Sequence, residues 1–103
     1  MEYAAVILSG ATQQLQKLFN TDDLQQTQTL GELQHKVARA VLHLLQTDLN
    51  RLLHILYRID VDERHVKQAM LLPSEPEMAD RIAQLIIKRE LQKAQTRFIY
   101  RSN

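Results

Sequence analysis

Few side chains in this sequence are of types that do chemistry, and their spacing keeps most of them apart. The histidines are His35, His43, His54 and His65. On a helix, His43 and His54 would share a face but lie about 16 Å apart along the axis. One ion cannot bridge that gap, because its nitrogen ligands sit about 2 Å away. His35 falls well off their line and His65 belongs to a later segment, so solvated histidines are expected rather than a ligand set. Ser9, Ser74 and Ser102 lack the glycine-flanked elbow of a nucleophilic serine, and there is no cysteine. The two glycines, Gly10 and Gly31, are too widely separated for a phosphate-cradling loop. The acidic run Asp60-Val61-Asp62-Glu63 has neither the glycine nor the ligand spacing of a calcium loop. A helix N-terminus favours such acids through its dipole. No catalytic, cofactor-binding or metal-binding residue is expected, and the chain reads as a non-enzyme.

Two carboxylates break the pattern. Asp48 projects near the centre of an apolar helical stripe, between Leu44, Leu45 and Leu52, Ile55. Glu90 does the same among Ile86, Ile87, Leu91 and Ala94. Both are candidates for burial, and a buried carboxylate needs a cation or several donors, or it takes up a proton. Arg51 and Lys93, each three residues further on, are the local candidates. The functional reading is a carboxylate pair between helices, doing acid–base work or holding a hard cation. The structural reading, which we favour, is a local ion pair or network that sets helix register. For Asp48 a second structural reading is a cap on a new helix where a longer one breaks at Gln46-Thr47.

The elements that must position these groups follow from composition and periodicity. The chain has 103 residues, 45% hydrophobic and 24% charged, with two Gly, two Pro and 5% aromatics. That is poor in turn formers and β-formers and rich in Leu, Gln, Ala, Lys and Arg, which favour helix. A first helix is expected from about Tyr3 to Phe19, with Ala4, Ile7, Leu8, Ala11, Leu15 and Leu18 on one face. Ser9-Gly10 weakens its middle. Residues Asn20 to Thr29 read as a loop. A capping box at Thr29-Leu30-Gly31-Glu32 opens a second helix. Its apolar stripe continues to Ile59, which makes it a long central element. A short third helix, about Val61 to Leu71, opens at the box Asp60-Val61-Asp62-Glu63 and stops before Pro73. The fourth opens at Ser74-Glu75-Pro76-Glu77 and runs towards Tyr100. The expected fold is all-α, a single domain over residues 1–103: a small bundle of about four helices with one long central helix.

Between Val41 and Ile59 the apolar positions are too widely spread for one ordinary buried stripe. Leu45, Leu49, Leu53 and Leu56 are therefore candidates for an interface with a second copy or another protein. Near the C-terminus Arg89, Lys93, Arg97 and Arg101 recur every four residues as a basic stripe. It is suited to nucleic acid phosphates or to helix C-termini and acids of its own chain. With a net charge of only +1 and no tryptophan, specific nucleic-acid binding is not expected, although it is the second functional reading. No apolar run approaches the ~20 residues of a membrane span. The opening Met1-Glu2, with its short apolar run Ala4 to Leu8, does not read as a secretory leader. The expectation is a cytoplasmic helical protein that works by protein–protein contact, as a homodimer, subunit or adaptor.

Overall fold

The computed structural model describes residues 2–24 and 29–102. Among these residues the chain forms five helices and no strand: α1 (Glu2–Phe19), α2 (Leu30–Thr47), α3 (Leu49–Ile59), α4 (Glu63–Ala69) and α5 (Glu75–Ser102). This is the all-α bundle expected. The expected loop after Asn20 is described only in part, since residues 25–28 lie outside the described set.

α1 runs unbroken through Ser9-Gly10, where it faces α5. A methyl group added at Gly10 would meet the Ala94 Cβ at 3.8 Å. Ile7, Ala11, Leu15 and Phe19 are buried at the spacing of one helical face. The helix closes at Asn20, whose φ of 52° is left-handed, with the Thr21 N–H donating to the Gln16 carbonyl. This is the closing geometry in which an asparagine can replace glycine.

The long second helix of the sequence is two helices, divided at Asp48. The Asp48 N–H still donates to the Leu44 carbonyl at 2.8 Å, but the residue then leaves helical geometry at φ −156°, ψ 76°. Its side-chain oxygen accepts from the Arg51 N–H at 3.1 Å. One residue thus ends α2 and caps α3. Thr47 and Asp48 are both modest helix formers whose side chains compete for backbone partners, and the Thr47 hydroxyl donates to the His43 carbonyl at 2.7 Å.

A second correction falls at Asp60, expected to open the next helix. It instead closes α3 in a left-handed conformation, φ 66°, donating to the Leu56 and Tyr57 carbonyls. The cap of α4 is Asp62, which accepts from the Arg64 N–H at 2.9 Å, so α4 is shorter than expected. The opening of α5 is as read: Ser74 accepts from the Glu77 N–H and Pro76 occupies the first turn.

The long helix at the centre of the bundle is α5. Its 28 residues span about 42 Å, matching the 43 Å long axis of the molecule, and it packs against all four other helices. Ala79, Ile82, Ala83, Ile86 and Ile87 meet Leu33, Val37, Ala38 and Val41 of α2 and Leu52, Ile55, Leu56 and Ile59 of α3 in one main core. Alanines at three of these positions let the helices approach closely. A smaller cluster joins Ile7 and Ala11 to Ala94, with Leu91 and Phe98 at its edge. Gln34 Nε2 ties α2 to α5 by donating to the Asp80 carbonyl at 3.1 Å. No helix among the described residues is long and apolar enough to cross a membrane.

Candidate functional site on the third helix

α3 has apolar residues on more of its circumference than its own core needs. Leu52, Ile55, Leu56 and Ile59 are buried. Leu49, Leu53 and Tyr57 follow one another at four-residue steps along the edge of that face and are 42%, 46% and 84% exposed. Leu45, in the last turns of α2, is half-buried and packs at the margin of the core. Of the leucines expected at an interface, Leu49 and Leu53 therefore face solvent, and Leu45 does so only in part. Leu56 does not belong with them: it is 4% exposed and part of the core. Tyr57 was not singled out in the sequence, although its four-residue spacing from Leu53 is the signal that would have found it.

The two carboxylates have opposite environments. Asp48 is exposed, which corrects its expected burial and bears out its other reading as a cap: the helix breaks there, and its carboxylate accepts from the Arg51 amide. Glu90 is 1% exposed. Its Oε1 lies 3.9 Å from Lys93 Nζ, and its Oε2 has no hydrogen-bond partner. Burial pushes the Glu90 carboxyl above its ordinary value of 4.5, while Lys93, Arg97 and Arg89 pull it back down. Nor do the two acids meet. The C-terminal end of α3 contacts residues 89 and 93 of α5, and Asp48 stands at the other end of that eleven-residue helix, about 16 Å away. A general acid must reach the atom it protonates, and the Glu90 side chain is buried in this structure.

The basic stripe is partly occupied by its own chain. Arg89 donates from Nε to the Asp60 carbonyl at 3.2 Å and reaches the Asp60 carboxylate at 3.5 Å. Lys93 Nζ donates to the Arg58 carbonyl at 3.5 Å. Both cations thus serve the C-terminal end of α3, where carbonyls lack helical donors and the dipole favours positive charge. Arg97 is exposed, and the Arg101 side chain lies outside the described residues.

His35, His43, His54 and His65 are all exposed. Glu32-Leu33-Gln34-His35 has the Glu-x-x-His spacing found in di-iron bundles, but among the described residues no three His, Asp or Glu side chains converge as a metal site requires. At the cap of α4, Asp62 is held well below the usual carboxylate range, at about 2, by the side-chain and backbone hydrogen bonds of Arg64.

No family model, no curated protein and no solved structure matches this chain.

Proposed function

We propose that this chain is a non-enzymatic contact module that pairs with a second copy of itself through the outer edge of α3. The observation that carries the reading is the row Leu49, Leu53 and Tyr57, apolar or aromatic at every four-residue step and open to solvent. Leu45 would lie at the margin of the contact. A cytoplasmic setting belongs to the same proposal, and cell fractionation tests it.

Light scattering at micromolar concentration should give a mass near twice 12.0 kDa. Leu49→Glu and Leu53→Glu change exposed positions, so the variants should keep their helical circular dichroism and run as monomers. A wild-type chain that stays monomeric at every practical concentration defeats the reading. A dimer indifferent to both substitutions relocates the contact and defeats it equally.

A further inference from the structure

A different face of the molecule carries a cavity whose charge is not balanced from within. It has a volume of about 750 Å³, within the ~300–1,000 Å³ range of small-molecule sites. Lys36, Arg39 and His43 line it from α2, at steps of three and four residues that put them on one face. Arg51, across the Asp48 break, lines it from the first turn of α3. On a straight helix Arg51 would be about 22 Å from Lys36 along the axis. Opposite stands the turn after α1, with Asn20, Thr21 and Asp23, and the apolar part of the lining includes Phe19 and Leu24.

Among the described residues no carboxylate lies within 4.0 Å of Lys36, Arg39, His43 or Arg51, although the cations of α4 and two of those on α5 are paired. Lys36 and Arg39, three residues apart, repel by a few tenths of a kcal/mol, and Glu32, the acid of α2, does not line the cavity. Two guanidiniums and an ammonium against one rim carboxylate, Asp23, leave the lining net positive. A single carboxylate ligand would not neutralise it. A phosphate would, because its several oxygens accept from arginine forks in pairs.

We propose that this cavity binds a small phosphate-bearing molecule, its phosphate on Lys36, Arg39, His43 and Arg51 and its less polar part over Phe19 and Leu24. The proposal is independent of self-association through α3.

Calorimetric titration of the full chain with inorganic pyrophosphate and with adenosine monophosphate, at about 50 mM salt where screening is modest, tests it. Both probes should bind, with dissociation constants below about 1 mM. The triple variant Lys36→Gln, Arg39→Gln, Arg51→Gln should weaken binding at least about tenfold. The charge-matched triple Lys67→Gln, Arg81→Gln, Lys88→Gln should leave it within about twofold. Amide chemical shifts of the wild-type chain on adding pyrophosphate should move around residues 19–24, 36–44 and 51, a readout that does not require the variants to fold. Absence of binding by both probes, equal weakening in the two triple variants, or shift changes confined to other surfaces overturns the proposal. So does binding of an oligonucleotide when neither small probe binds.

Discussion

At the scale of single residues, Glu90 is the group whose environment departs furthest from what its chemistry favours. One oxygen lacks any donor, and leaving a buried acceptor unsatisfied costs about 1–3 kcal/mol. Its one close cation, at 3.9 Å, has an alternative acceptor in the Arg58 carbonyl. Removing the carboxylate therefore does not strand Lys93, and a well-fitting apolar replacement should stabilise the chain. Glu90→Met is expected to raise the unfolding free energy by about 1–3 kcal/mol at neutral pH, measured by urea denaturation. The pH dependence has a definite sign. The folded carboxyl titrates above its ordinary 4.5, so the folded chain binds more protons than the unfolded one between those two values. Its contribution is fully present below about 4.5 and is lost as pH rises through the raised value. Asp62, lowered from 3.8 to about 2, runs the other way and loses its contribution only as pH falls from about 4 towards 2. Relative to wild type, Glu90→Gln should gain stability as pH increases above 4.5. A difference that stays flat across that range would show that burial does not raise the carboxyl. The burial of Glu90 was legible because the periodicity of α5 holds without interruption around it. The same periodicity fails at Asp48, where one non-helical residue resets the phase, and its reading as a cap holds instead.

At the scale of elements, caps were the most informative local signals, and their ambiguity explains the errors. Thr29 and Ser74 behave as their spacing suggests. Asp60 and Asp62 both resemble caps, and only the end of α3, set by packing of Ile59 into the core, decides that Asp60 closes one helix and Asp62 opens the next. The boundary between α3 and α4 thus depends on two aspartates whose roles are assigned by tertiary contacts, whereas the extra helix comes from the break at Asp48. Asp48→Ala should cost about 0.5–2 kcal/mol by removing the acceptor for the Arg51 amide. No change in urea midpoint for that variant would show that the break does not depend on the cap. In α1, Gly10 sits in mid-helix with room for a methyl group at ordinary contact distance from Ala94. Gly10→Ala should therefore stabilise the chain by about 0.5–1 kcal/mol. A destabilised variant would mean that α1 and α5 pack too closely there to admit the methyl. The phosphate cavity was not legible as a site because its cations come from both sides of a helix break and its opposite wall from a loop. Sequence spacing alone does not bring these together. The outer row of α3 was only half legible, because a stripe on a wheel does not say which edge neighbouring helices will cover.

At the scale of the whole molecule, α5 is both the longest element and the surface on which the others assemble. The radius of gyration, 13.5 Å, is close to the ~12.8 Å of a compact chain of this length. The apolar interior is unequal along α5. On α5 the buried residues of the main core end at Ile87, Ala94 belongs to the smaller cluster, Leu91 packs against both, and Glu90 lies on the helix between them. Packing of that kind divides a small protein into regions that open at different free energies. Amides of the first turns of α1 and of α5 beyond Leu91 should exchange with deuterium through local opening. Those around Val37, Ile55 and Ile82 should exchange only on global unfolding. Uniform protection along α5 would contradict this division. The buried carboxylate then marks a step in stability: the end of the central helix and the first turns of α1 are expected to open while the rest of the bundle, with Leu15 and Phe19 of α1, stays folded. Protonation of Glu90 would bind that end more firmly, making the boundary between the two cooperative units itself sensitive to acid.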